Sequence, residues 1–185
     1  MSTLPILHTE RTVMTVLAPE QAALLLAYRL HNRAHLAPWE PARGPDYFTE
    51  AAARRRLAQS TEEARAGSAV HFIALDRGSG AMLASCSFTN IVHGVFQACH
   101  LGFSVAAACQ GKGLMHEVAR AGIDYMFAQQ RLHRIMASHL PRNVRSAALL
   151  DKLGFEREGY ARSYLRINGK WEDMVLSSLI HPVES

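Results

Sequence analysis

The stretch Cys109–Val118, CQGKGLMHEV, sets Gly111 and Gly113 on either side of Lys112 and then runs into a segment of helical periodicity. Glycine at a helix start fills no core and costs backbone entropy, so its presence there points to a backbone that turns sharply or is approached closely. The unpaired N–H groups of a helix's first turn, at the positive end of its dipole, suit a phosphate. Neither G-x-G-x-x-G nor G-x-x-x-x-G-K-[ST] occurs, which argues against a dinucleotide fold and a P-loop. Lys112, Arg142 and Arg145 are the cations near this stretch and its neighbouring helix that could neutralise phosphate oxygens.

Other residues invite chemistry and fail on spacing. His31 and His35 stand four apart, but no third ligand and no HExxH accompanies them, so no metal site is expected. Cys86, Cys99 and Cys109 form no CxxC and no regular framework, so they read as free thiols, and Cys109 has no His/Asn pattern for covalent catalysis. Asn143 precedes a helical run and could either cap it or turn its amide toward a ligand; both roles stay open.

The elements that must position these residues follow from periodicity. RTVMTVL at 11–17 reads as a strand, and Pro19 opens the helical stretch EQAALLLAYRL. HLAPWEPARGPDYF at 35–48 holds three prolines and a glycine and reads as a loop, which places Trp39 and Glu40 on it; Thr49 then caps EAAARRRLAQSTEEARAG. VHFIAL, AMLASCSFTN and QACHLGFSV form an antiparallel meander, the first two joined by the turn DRGSG. The glycine stretch leads into LMHEVARAGIDYMFAQQ, where Leu114, Val118, Tyr125 and Met126 recur at helical spacing. HRIMASHL is a strand closed by Pro141, VRSAALLDKL is a helix ended by Gly154, and Asn168-Gly169 joins FEREGYARSYLRI to KWEDMVLSSLI as a hairpin. The expected class is α/β, in the order β-α-α-β-β-β-α-β-α-β-β, without internal repeats.

With 185 residues, 49% hydrophobic and 19% charged, the chain suits one packed domain over 1–185 and excludes a disordered or linker-rich protein. The start MSTLPILHTERTVM has no basic lead before a long apolar run, and no later segment approaches about 18 apolar residues, so a cytoplasmic protein without membrane attachment is expected. A net charge of +4 favours an anionic partner such as a phosphorylated cofactor, an acidic protein or RNA. The arginines are dispersed, which fits a solvated basic face better than a nucleic-acid groove, and direct RNA binding stays open.

In this element order, QGKGLM after a strand and at the head of a helix resembles the Q-x-x-G-x-G/A acyl-CoA signature of the GNAT acetyltransferases. The blocks LAPWEPARGPDYFT, QGKGLMHEV and HRIMASHLPRNVRSAALLDKLGFEREGYARSYLRINGKWEDMVL are similar to the RimJ/RimL branch. Met115 departs from the usual Gly or Ala at the last motif position. The resemblance implies a GNAT fold, a mixed sheet of about seven strands flanked by about four helices, with two central parallel strands splayed apart. It implies acetyl-CoA as co-substrate and no metal. Backbone groups of Gln110, Gly111, Lys112, Gly113, Leu114 and Met115 would cradle the pyrophosphate, and Phe103, Ser104 and Val105 would offer main-chain groups to the pantetheine arm, with Asn143 and Arg145 close by.

The same resemblance implies transfer of acetyl to the α-amine of a protein N-terminus, most like an N-terminal alanine of a ribosomal protein. An α-amine, with a pKa of about 7.7–8.0, needs only a modest base, whereas a lysine near 10.4 needs more. His100 takes the strand position where many relatives carry a glutamate and would accept the amine proton; a half-buried structural histidine is the competing role. The usual tyrosine acid is replaced by Leu150, so Ser146, which resembles a serine used by some relatives, would protonate the leaving thiolate, with Tyr164, Tyr160 and Glu158 as substitutes. Trp39 and Glu40 resemble the family's substrate wall. Two other functions remain open: acetylation of a small-molecule amine, or a ribosome-associated binding role that retains a CoA site. The protein would be a monomer or homodimer.

Overall fold

The computed structural model describes residues 4–182. Strands β1 (Ile6–His8) and β2 (Thr12–Thr15) are joined by a turn in which Thr9 Oγ1 lies 2.8 Å from Thr12 Oγ1 and accepts the Thr12 N–H at 3.0 Å. β1 adds one strand to the expected order; three residues are too short to show alternation. A 3-10 turn at Pro19–Gln21 leads into α1 (Ala22–His31), followed by the short α2 (Arg33–Leu36). The stretch expected as a loop therefore opens with a helical turn and closes with a 3-10 turn at Pro45–Phe48, so that Trp39 and Glu40 lie between the two. α3 (Glu50–Ala66) begins where Thr49 Oγ1 accepts the Ala52 N–H at 3.2 Å and ends at Gly67 in the left-handed conformation.

β3 (Val70–Asp76), β4 (Met82–Val92) and β5 (Ala98–Val105) make the meander. α4 (Leu114–Gln130) connects β5 to β6 (Arg134–His139), and α5 (Val144–Leu153) leads to the hairpin β7 (Glu156–Ile167) and β8 (Lys170–Ile180). The eight strands form one sheet in the order β1-β2-β3-β4-β5-β6-β8-β7. Among the described residues no helix is long and apolar enough to cross a membrane.

Strand alternation sorts the two faces. Phe72, Cys86, Phe88, Cys99 and Leu101 pack with Val118, Ile123 and Met126 of α4 and with Leu150 and Leu153 of α5. The other face is covered by α1 and α3 through Leu25, Tyr28, Ala53 and Leu57, which meet Ile73 and Met82. A register shift after Ala74 pairs Leu75 with Met82 and brings Met82 to this second cluster. Further along that face the residues turn polar: Ser85 pairs with Ser104, Ser87 with Gly102 and Thr89 with His100. Polar side chains on a covered sheet face need partners or a ligand, so this strip marks where a substrate can lie.

β5 and β6 are the parallel pair, and their ladder runs only from Ala98–Arg134 to Leu101–Ala137. Beyond that point β5 continues to Val105 without β6, while Ser138 and His139 pair with Leu176 and Val175 of β8. The strands part there, as the resemblance implied, and the main-chain groups of residues 102–105 on that edge are left for something other than β6.

Candidate active site

The glycine loop sits at the head of α4, beside the parted strands. Gly111 has φ of +72° and Gly113 +74°, so both occupy the left-handed region, and Gly113 is the N-cap of α4. A side chain at Gly111 would meet no protein atom within 4 Å, so packing against the protein does not demand glycine there; φ and the open space in front of the loop do. That cradle fits a pyrophosphate at a helix N-terminus. Met115, the departure from the motif, is 8% exposed and packs in the core under α4 while bordering the cavity in front of the loop, so core packing takes up most of the larger side chain. Arg11 holds the loop from behind: its Nη1 donates to the Lys112 carbonyl at 2.8 Å, and its Nε and N–H bind Glu117 at 2.6 and 2.8 Å.

Two cavities open on the parted strands. The first, of about 440 Å³, runs along Phe103–Val105, the glycine loop and the first turns of α4 and α5. The second, of about 410 Å³, lies on the polar face of the sheet beneath α1, α3 and the 41–48 segment. Leu36, Glu40 and Ser104 line both and so mark their junction. There Ser104 Oγ lies 2.8 Å from the Tyr28 hydroxyl and 2.9 Å from Ser85 Oγ. Burial pushes the Tyr28 hydroxyl far above its usual range despite the bond to Ser104, so it stays protonated. Burial also raises the Glu40 carboxyl, against the opposing pull of Arg43 and Arg29.

The structure brings most of the expected residues into the first cavity. Phe103, Ser104, Val105, Gln110, Gly111, Gly113, Leu114 and Met115 line it, as do Asn143, Arg145, Ser146, Trp39 and Glu40. Asn143 does cap α5, its Oδ1 accepting the Ser146 N–H at 3.1 Å, and this occupies the oxygen only, leaving the amide N–H groups to donate. The expected pair of alternative roles for Asn143 is therefore not exclusive. Arg145 reaches the cavity and binds Gln110 Oε1, while Gln110 Nε2 lies 3.2 Å from His35 Nε2. His35 Nε2 is also 3.2 Å from the Val105 carbonyl. This chain of contacts through His35 was not legible from sequence, where His35 stood out only for its spacing to His31; His31 Nδ1 instead meets the Ala27 carbonyl at 2.7 Å.

Other expected residues fall outside. Lys112 lines neither cavity and offers its carbonyl to Arg11. Arg142 turns away to a bidentate pair with Glu172 at 2.9 and 3.0 Å. Tyr160 donates to Asp173 at 2.7 Å, Glu158 binds Arg134, Tyr164 is exposed, and none of the three borders a cavity. His100 shares the sheet face of Ser104 but lies four residues back, about 13 Å along the strand, where β5 is still paired to β6. It lines neither cavity; burial lowers its pKa, and its Nδ1 is buried without a partner. Leu150, in place of a tyrosine, is 2% exposed in the core.

Residues 11–156 match the family described as the acetyltransferase (GNAT) domain. The [Ribosomal protein uS5]-alanine N-acetyltransferase of Escherichia coli is 42% identical over 176 residues, 95% of this chain and 91% of the relative. A crystal structure of the ribosomal-protein-S5-alanine acetyltransferase from Vibrio fischeri superposes with a TM-score of 0.91 at 39% identity, over 96% of this chain and 97% of that one. RimJ of Mycobacterium smegmatis, solved in complex with CoA-disulfide, gives 0.87 at 27% identity over 97% and 87%. A sheet that parts between its two parallel strands, a left-handed glycine loop at the helix beside the gap, and these likenesses lead to one conclusion: the chain belongs to the GNAT family and is an acetyl-CoA-dependent N-acetyltransferase.

Proposed function

We propose that this enzyme acetylates the α-amine of a protein N-terminus, in the first place an alanine of a ribosomal protein. The observation that carries the reading is the junction at Glu40 and Ser104 of two cavities, one shaped for acetyl-CoA and the other open to an acceptor. The likeness to a uS5-alanine N-acetyltransferase over nearly the whole of both chains supports the acceptor. Backbone N–H groups of the 110–115 loop take the pyrophosphate, Arg145 a phosphate oxygen, and the free edge of 103–105 the pantetheine amides.

The reaction is direct. The neutral amine nitrogen attacks the thioester carbonyl, a C–N bond forms, the C–S bond breaks, and the amine loses one proton while the thiolate gains one. Glu40, the one carboxylate at the junction, takes the amine proton and returns it to solvent; Ser146, on the first turn of α5, passes its hydroxyl proton to the thiolate and is reprotonated from solvent. His100 has no assigned proton transfer, because its distance from Ser104 places a relay of several steps between it and the amine. The arginines of the second cavity favour the neutral amine over the ammonium by like-charge repulsion, which helps a weak base suffice. Trp39 lines the first cavity next to Glu40 and not the second, so it packs against the acceptor's first residue only where that residue crosses the junction.

The test is a set of initial rates on peptides that begin with Ala, Ser or Met, on an N-blocked peptide containing lysine, and on spermidine. Fastest turnover of the Ala or Ser peptide is expected. Faster turnover of spermidine or of the blocked lysine peptide would overturn the acceptor and leave the family standing.

A further inference from the structure

The second cavity is more cationic than an acceptor amine needs. Arg29, Arg33, Arg43 and Arg56 line it together with His71, and Glu40 is the one carboxylate among its lining residues. A site that held the acceptor as an ammonium would carry the opposite balance, and a neutral amine alone does not call for four guanidiniums.

Their present contacts leave guanidinium capacity unused. Arg29 is 8% exposed; its Nη1 donates to the Tyr47 carbonyl at 3.3 Å and its Cζ lies 4.0 Å from the Tyr47 ring centroid, yet its Nε is buried with no hydrogen-bond partner. Burial works against the Arg29 charge, partly offset by Tyr47. Arg43 Cζ lies 4.5 Å from the centroid of the same ring and makes no direct ion pair, although its charge is felt by Glu40, and Arg33 lies 4.4 Å over Phe48. Arg56 alone is committed, to His71 at 2.9 Å and to Glu63 at 3.5 Å. A buried guanidinium with an idle donor beside a second unpaired one is a site built for an anion.

Continuity fixes where that anion comes from. The cavity joins the acetyl-CoA cleft at Glu40 and Ser104, so whatever enters it is attached to the reacting amine. We infer that the acceptor peptide carries an acidic side chain at its second to fourth residue, and that Arg29 and Arg43 bind this carboxylate. The reach agrees: Arg29 follows Tyr28, whose hydroxyl touches Ser104, and about 3.3 Å per extended residue brings residues two to four within about 10 Å of the amine. The Tyr47 ring, which both Arg29 and Arg43 approach, positions the two guanidiniums.

This rests on the α-amine reading above, and the experiment separates the two. Peptides beginning with Ala and differing only by Glu or Gln at the second, the third or the fourth residue are compared by kcat/KM. Wild type is expected to favour a Glu peptide by about 10- to 100-fold, the range of a charge-assisted hydrogen bond. Arg43→Gln, at an exposed position, and Arg29→Lys, which keeps the charge but removes the Nε donor and the planar fork, are each expected to shrink that ratio. Equal rates on Glu and Gln peptides in wild type overturn this inference alone, as does a ratio unchanged in both variants. Acetylation of neither peptide overturns it together with the proposed acceptor.

Discussion

Glu40→Gln isolates the proposed proton acceptor. The amide keeps the side-chain volume and the backbone carbonyl that accepts the Asn168 N–H at 2.9 Å, so the cavity wall and its contact with the C-terminal hairpin survive while the basic oxygen is lost. Burial raises the wild-type carboxyl, which makes it a better proton acceptor than an exposed glutamate. A positioned general base contributes about 10²–10⁴ in rate, and an amine of pKa about 8 lies at the undemanding end. The expected loss in kcat/KM is therefore about 100-fold, or about 2.7 kcal/mol at about 1.36 kcal/mol per decade. The pH profile gives a second signature. Below about pH 8 the neutral amine falls tenfold per unit in both proteins. In wild type a further tenfold per unit sets in where Glu40 takes up its proton, above the ordinary carboxylate range, and the Gln variant keeps the single slope. Thiol release from acetyl-CoA, followed with an Ala-initiated peptide, reads both. A variant within about threefold of wild type, with the steeper limb intact, would take the role away from Glu40. His100→Gln in the same assay is expected to leave both slopes in place.

Gly113→Val forces a β-branched residue to a φ of +74° at the N-cap of α4, with its Cβ beside Arg11 Nη2, so the strained loop should lose its pyrophosphate cradle and CoA affinity by calorimetry should fall at least tenfold with the fold retained; unchanged affinity would move the cofactor elsewhere. Saturating acetyl-CoA should raise the melting temperature, by an amount equivalent to about 2.7 kcal/mol at a hundredfold excess over Kd, and the absence of any shift would contradict the cleft. Gly122→Ala puts a Cβ 2.7 Å from Phe88 Cε2 and 3.3 Å from Cys86 Sγ. Overpacking of about 1–3 kcal/mol should outweigh a helix gain of about 1 kcal/mol, and a more urea-resistant variant would refute the close crossing of α4 over β4. His71 has its pKa lowered by burial and by Arg56, against the pull of Glu63, and His100 by burial. The unfolded chain therefore binds protons first as pH falls below about 6.5, and stability should decline from there toward the depressed range; a flatter decline in His100→Gln is the check.

The parts of the site that depend on local backbone were readable from sequence. Gly111 and Gly113 announce a left-handed loop, Thr49 and Asn143 announce caps, and Asn168-Gly169 announces the hairpin, because each is a short-range demand that one or two residue types satisfy. The junction of the cavities was not readable. It joins Glu40 from an irregular segment to Ser104 from a strand, and its hydrogen bonds come from Tyr28 and Ser85 on two further elements. His35 and Arg29 were hidden for the same reason: one resembled half of a metal pair, the other a basic residue on a helix, until the fold turned them toward Val105 and Tyr47. His100 was marked by its strand position alone, and where β5 leaves β6 lies beyond what alternation can show.

The position of β8 between β6 and β7 has a consequence for the growing chain. A nascent polypeptide emerges with β6 made and its outer edge bare, and β7, though synthesised next, cannot cover it, because β6 pairs with β8 through Arg134–Ile180 to His139–Val175. Until β8 emerges and inserts, that edge is an open template for unwanted pairing, and the Glu40 carbonyl lacks its donor from Asn168 at the hairpin tip. A truncation upstream of β8 should therefore aggregate and cannot yield a smaller working enzyme. Catalytic competence arrives late in synthesis, when a strand from the far end of the sequence inserts between β6 and the edge strand β7.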